Sequence, residues 1–304
     1  MNQNDYELKK ILAGAQLPAL PQSAIRLLEL SQDPDNGPSE FAIPIEGDPG
    51  LTGQVLKFVN SSYFGFSKEI SSVKLAITLV GIRTIKNFAL WSAVFSLMPN
   101  PKCGPFDLRS LWQDSLRRAL LARTVGKLLG LDDAEDLFAA ALLQDMAVPL
   151  LSKELSTEYN ELFENRGDGS KRLSDLERER FGWTHGEAAA FMARTWSLPE
   201  QFVNFIESHS EVTTLLDQET RPSIGVLSVG ISALLPSTAD SEWHEREVFK
   251  ESLKKVNLEV EPLELLSRVD TDYTEFAPML KLAVPERSLV ECFDPEAVEA
   301  AAAE

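Results

Sequence analysis

Apolar side chains recur at helical spacing along most of the chain. Ala24, Leu27 and Leu28 share one face after Pro21, a suitable first-turn residue. Asp48-Pro49 reads as an N-cap followed by proline at the first helical position, and Leu51, Val55, Leu56, Phe58 and Val59 supply that helix with an apolar face. Ser71-Ser72 starts a further helix through Val73, Ala76, Ile77 and Val80. Gly81 ends or kinks it, and residues 82–97 continue as another. Leu108 to Leu129 and Ala134 to Leu151 read as two long helices. Val226 to Leu235 has a strand-like composition, but a buried helix suits its neighbours better. Alternation of period two is scarce, so the expected class is all-α.

Punctuation divides these helices. Pro99, Pro101, Gly104 and Pro105 form a linker, which predicts one helical lobe over residues 1–98 and a second over 99–285. Gly167-Asp168-Gly169 marks a loop. Thr184 to Glu187 has the capping-box pattern, with Thr at the cap and Glu three residues on. Pro199 opens a helix that ends near His209. Residues 286–304 read as an acidic, Ala/Glu-rich tail, frayed or disordered from Glu296 onward.

Composition narrows the function classes. The 304 residues are 44% apolar and carry a formal net charge of -18. Residues 240–304 hold 17 acids against 7 bases. Bulk charge therefore opposes binding to nucleic acid or to an anionic membrane. Arg109, Arg117, Arg118, Arg123 and Lys127 cluster on one predicted helix and read as a solvated face. Two distant cysteines, Cys103 and Cys292, form no disulfide framework and suit a reducing compartment. No apolar run spans a bilayer, and the polar start MNQNDYELKK lacks a signal core, so a cytoplasmic location without membrane insertion is expected.

One pair breaks the apolar pattern. In LFAAALLQDMAVPLL, Gln144 and Asp145 interrupt an otherwise apolar run, and a buried carboxylate is costly without partners. The blocks LPALPQSAIRLLELSQDPD, DPGLTGQVLKFVNSSYFGF, ISSVKLAITLVGIRTIKNFAL, LWQDSLRRALLA, AALLQDMAVPLL and HGEAAAFMARTWSLPE, in that order, closely resemble the HDOD domain. That bacterial output domain is related to the HD phosphohydrolases. The resemblance implies a two-lobed helical protein with an HD-like core.

It also implies what a catalytic relative would carry: a His early in the long helix, a His-Asp doublet and a later Asp. Here Asp114 falls at the first His, Gln144 at the doublet His, Asp145 at the doublet Asp and Ile231 at the later Asp. A neutral amide is a poor transition-metal ligand, and isoleucine is none. Some HD relatives use further histidines in this half. His185 and His209 read more simply as a first-turn residue and a helix C-terminal residue. Asp114, Gln144, Asp145, His185, His209 and Ile231 thus outline a vestigial pocket with no metal or other cofactor expected. Tyr63, Phe64 and Phe66 form an aromatic knot suited to packing between lobes or against a partner.

Two functions remain in play. The first is a non-catalytic signalling module acting through a protein partner, its pocket open to a small-molecule or nucleotide ligand. The alternative is a metal-dependent phosphohydrolase or phosphodiesterase acting on nucleotides or cyclic dinucleotides through a variant site. The balance falls against an enzyme.

Overall fold

Caps and prolines set the helix boundaries, as the pattern predicts. The computed structural model describes residues 3–15, 17–217 and 222–295, and among these every regular element is helical. The first half contains α1 (Gln3–Gly14), α2 (Gln22–Leu30), α3 (Pro38–Glu46), α4 (Pro49–Val59), α5 (Val73–Val80) and α6 (Ile82–Leu97). Asp48 caps α4 by accepting from the Leu51 backbone, and its other oxygen accepts from Ser23, which ties α2 to α4. Ser72 caps α5. Gly81 separates α5 from α6 at a φ of 97°, a conformation that side chains with a Cβ rarely adopt.

After the Pro/Gly segment, Asp107 caps α7 (Leu108–Leu128) with both carboxylate oxygens. α8 (Ala134–Leu143), α9 (Val148–Glu154), α10 (Ser156–Arg166), α11 (Leu173–Phe181), α12 (His185–Thr195) and α13 (Glu200–Ser208) follow. The chain continues through α14 (Val212–Asp217), α15 (Ile224–Ser232), α16 (Arg246–Lys255), α17 (Pro262–Phe276) and α18 (Leu289–Phe293). α7 is the axis of this half, packed against α8, α15 and α17. One contiguous apolar core runs from Leu8 to Leu289, and α6 packs directly on α8. Val226 to Leu235 is mostly helical and buried, as expected.

Two expectations need correcting. The run from Ala134 to Leu151 is not one helix. α8 stops at Leu143 and α9 starts at Val148. Pro149 supplies the reason: it has no N–H to give the Asp145 carbonyl, and its ring would collide with that carbonyl in a continuous helix. The Asp145 carbonyl accepts instead from Val148 at 3.0 Å. Gln144 and Asp145 therefore stand at a break, which frees Asp145 to point out of the helical packing.

The basic cluster on α7 is only in part a solvated face: Arg109 and Lys127 are exposed. Arg117 and Arg123 are each only 2% exposed. Helices cover α7 on several sides, and residues distant in sequence accept from the guanidinium groups. Arg117 donates to the Arg287 carbonyl. Arg123 donates to Asp272 at 3.3 Å and lies over three aromatic rings.

The aromatic knot does bridge distant parts of the chain. Tyr63 meets Phe276 of α17 edge-on, with ring centroids 4.4 Å apart, and Phe64 packs on Phe58. Phe66 stays exposed. Trp112, Trp183 and Trp196 are buried. In the C-terminal segment Leu289 is fully buried and α18 packs on α17. The Ala/Glu-rich stretch 296–304 lies outside the described residues. Among the described residues no helix is long and apolar enough to cross a membrane.

Candidate functional site

Asp145 emerges from the α8–α9 break and meets two histidines. Its Oδ1 lies 3.2 Å from His185 Nε2 and 3.4 Å from His209 Nε2, and the two Nε2 atoms are 3.1 Å apart. Its Oδ2 accepts from the Arg118 guanidinium of α7 and, at 3.5 Å, from the Gln144 amide. All three members of the triad are buried. Burial alone would raise the Asp145 pKa, but Arg118, His185 and His209 outweigh it and hold the carboxyl well below its ordinary value.

Local structure fixes both rings. His185 is the first residue of α12, behind the Thr184–Glu187 capping box. Its Nδ1 and its backbone N–H both reach Glu177 Oε2, at 2.6 and 2.7 Å. Glu177 projects from α11 and accepts from the Tyr159 hydroxyl on its other oxygen at 2.6 Å. Burial disfavours a charged His185, but Glu177 and Asp145 prevail and its pKa is pushed up to about 10. His209 closes α13, and its Nδ1 lies 2.5 Å from the Ile206 carbonyl. Burial lowers its pKa. Gly186 allows the approach of these segments: a Cβ there would sit 2.9 Å from both the Glu207 carbonyl and Ser210 Oγ.

The residues expected in the pocket divide into two groups. Asp114, Asp145, His185 and His209 line one cavity of about 270 Å³. Gln144 and Ile231 are fully buried but are not among its lining residues. Asp114 accepts from Ser237 Oγ and from the Thr238 backbone at 2.7 Å, so both its oxygens are occupied. Burial raises its pKa despite Arg118 and these two donors. Cys103 is buried, with Sγ 3.3 Å from the Ser156 carbonyl.

Several members of the site were not singled out by the sequence reading. Arg118 drew notice only as part of a basic cluster. Glu177 and Tyr159 drew none. A signal existed for Glu177: Leu173, Leu176, Glu177 and Phe181 fall on one face of α11, so a carboxylate sits among apolar positions. His244 also lines the cavity, with its Nε2 3.3 Å from Asp168 Oδ1.

HD-type chemistry uses metal ions, so the donors decide what this pocket could hold. Gln144 and Ile231 offer no donor to the cavity, and both oxygens of Asp114 accept hydrogen bonds from Ser237 and Thr238. Asp145, His185 and His209 do fit one ion. Metal–ligand bonds of about 2.0–2.2 Å place neighbouring donors roughly 2.9–3.5 Å apart, and the three separations here are 3.1, 3.2 and 3.4 Å.

Solved structures support the fold reading. An HDOD domain protein of unknown function from Geobacter sulfurreducens superposes with a TM-score of 0.72 at 20% identity, covering 90% of this chain and 96% of that one. A presumptive phosphohydrolase from Shewanella amazonensis gives 0.69 at 19% identity, over 89% of this chain and 97% of that one. A presumptive signal transduction protein from Marinobacter aquaeolei gives 0.69 at 18%, over 91% of this chain and 65% of that one. An uncharacterized protein of Treponema pallidum is 23% identical over 214 residues, which is 70% of this chain and 41% of the relative. The chain thus spans about two fifths of that relative's length. Residues 17–212 match the HDOD domain. The chain belongs to the HDOD domain family.

Proposed function

We propose that this chain is a non-catalytic regulatory module, acting on a signalling partner, whose HD-derived cavity receives a small ligand. The observation that carries this reading is the Arg118–Asp145 pair. A hydrolytic centre needs several donors around an open position where a metal-bound water loses its proton. Here the retained doublet carboxylate is half spent on a guanidinium supplied by the protein. Asp114 is spent on Ser237 and Thr238, and Gln144 stays out of the cavity. The names of the similar structures, one for signal transduction and one for phosphohydrolase activity, leave both outputs open.

In this reading the helices up to residue 98 form one lobe and residues 99–285 the other. Tyr63 packs on Phe276 across their junction, and exposed Phe66 marks the nearby surface offered to a partner. The expected ligand is a small molecule or nucleotide. In a thermal-shift screen, a ligand at a hundred times its Kd adds about 2.7 kcal/mol of stability. No shift across nucleotides and cyclic dinucleotides would argue against the nucleotide version.

The phosphohydrolase reading keeps one specific support, the spacing of Asp145, His185 and His209. Incubation of the full chain with nucleotides and cyclic dinucleotides in excess manganese or magnesium discriminates the two. No turnover is expected. Turnover that disappears in H209A would replace the regulatory reading with a catalytic one.

A further inference from the structure

We infer that the α11 end of the cavity is a phosphate-binding subsite, where Arg172, Ser174 and the first-turn N–H groups of α11 receive the phosphoryl group of a small phosphate ester. The inference rests on the reading of the cavity as a ligand pocket, and it names the chemical group that the pocket grips.

The start of α11 supplies donors that the fold leaves unused. No side chain caps the helix at Arg172. First-turn N–H groups have no partner within a helix, and the helix dipole adds partial positive charge there. Arg172, Leu173 and Ser174 all line the cavity. Ser174 is 4% exposed, and among the described residues its hydroxyl meets no hydrogen-bond partner. Nη1 of Arg172 is buried and also lacks one. Its ion-pair partner, Glu245 Oε1, stands 3.7 Å away, beyond hydrogen-bond reach. Buried donors left open cost stability, and here two of them border the same space as an uncapped helix start. Phosphate oxygens match that set, because guanidinium and backbone N–H groups both form charge-assisted bonds to them.

The carboxylates around the cavity oppose an anion less than their number suggests. Asp145 is paired with Arg118, and Asp114 accepts from Ser237 and Thr238. Asp107 caps α7, and Asp240 accepts two bonds of 2.7 Å from Arg166. Glu242 and Glu245 remain on the cavity wall, and Asp175 lies in the first turn of α11. Burial raises the Glu245 pKa although Arg172 opposes it, so this carboxylate competes weakly for the guanidinium. Exposed Lys171 adds positive charge to the rim.

The loop leading into α11 is already held in place. Arg166 and Asp240 form a two-pronged pair across it, and a Cβ at Gly169 would stand 2.6 Å from the Asp240 carboxylate. A site fixed in this way spends less of its binding energy on ordering. Phe163 and Trp243 line the same cavity and offer apolar surface to the organic part of the ester.

The test titrates the full chain with inorganic phosphate, AMP and adenosine at constant ionic strength, followed by calorimetry and thermal shift. One phosphate per chain should bind with a Kd at or below about 1 mM, and AMP should bind more tightly than adenosine. R172Q should weaken phosphate and AMP about 10–100-fold and S174A about 2–10-fold, as expected for a charge-assisted and a neutral hydrogen bond. E245Q removes the competitor and should tighten both about 2–10-fold, a change of opposite sign that a merely structural role would not produce. S174A deletes one oxygen and covers the case in which R172Q fails to fold. R26Q, on the exposed face of α2, should bind as the wild type does. An equal loss in R26Q overturns the subsite, as does the absence of saturable phosphate binding by the wild type. Wild-type phosphate affinity in both folded R172Q and S174A overturns it too. AMP bound equally by the wild type and R172Q ends the subsite and leaves the cavity reading standing. Phosphate bound as expected, with AMP no tighter than phosphate, keeps the subsite and counts against a nucleotide in the rest of the cavity.

Discussion

The Arg118 guanidinium, from the middle of α7, donates to Oδ2 of Asp145, and this one contact joins the axis helix to the α8–α9 break. Both side chains are largely shielded from water, with 15% and 7% of their surface exposed. Removing one member of a buried pair leaves the other charge uncompensated, at a cost of about 3–5 kcal/mol. Asp145 keeps its two histidines, so R118A should fall near the lower end, about 3 kcal/mol, read as a lowered urea midpoint. R118K should recover only part of the loss, because an ammonium cannot reproduce the planar fork. A wild-type midpoint in R118A would mean the pair contributes nothing to stability.

Gly186 offers a second, steric test. A Cβ at this position would stand 2.9 Å from the Glu207 carbonyl and from Ser210 Oγ, and 3.3 Å from the His209 ring. Alanine ordinarily favours a helix over glycine by about 1 kcal/mol. Here the clash should dominate, since inserting a methylene into packed structure costs about 1–3 kcal/mol. G186A should therefore be less stable than the wild type by calorimetry, and a higher Tm would contradict the close approach of α12 and α13.

How much of this was legible in sequence follows from where each signal resides. Helices write themselves locally, through caps such as Asp48, Ser72 and Thr184 and through apolar spacing, and those elements appear where expected. Pro149 also announced the break after Asp145, but the apolar letters around it suggested one continuous helix. Burial of Arg117 and Arg123 was not legible, because partners such as Arg287 and Asp272 lie far along the chain. The histidines illustrate the same limit. Each has a sound local reading, as a first-turn residue and a helix C-terminal residue, and both readings hold. Their meeting over Asp145 depends on how α12, α13 and the α8–α9 break pack. No spacing in the sequence encodes that arrangement.

Asp114 predicts a pH dependence. Burial raises its folded-state pKa above the unfolded value near 3.8. The native state then holds this proton more tightly, so stability falls as pH rises from 3.8 through the folded pKa, and the ionised form costs stability beyond it. D114N removes this titration. Urea midpoints of wild type and D114N at several pH values between 4 and 7.5 should diverge, the wild type losing relative ground as pH rises. Parallel profiles would show that Asp114 ionises as it does in the unfolded chain.

Arg123 carries the last prediction, at the joint between the first helices and α17. Its guanidinium lies 5.1 Å from the Tyr63 ring centroid, 5.0 Å from Phe138 and 5.1 Å from Phe276, and it donates to Asp272. Cation–π contacts contribute about 0.5–2 kcal/mol each, more when desolvated, and contacts that share one cation do not add fully. R123M keeps the length of the side chain and removes its charge, and should cost about 2 kcal/mol. Tyr63 is the only one of the three rings that comes from the N-terminal helices, so a double-mutant cycle on R123M and Y63A isolates the contact across the joint. A coupling of about 0.5–1.5 kcal/mol is expected from urea denaturation. Strict additivity would mean that Tyr63 packs on Phe276 without help from the cation, and that the first helices are held to α17 by apolar contact alone.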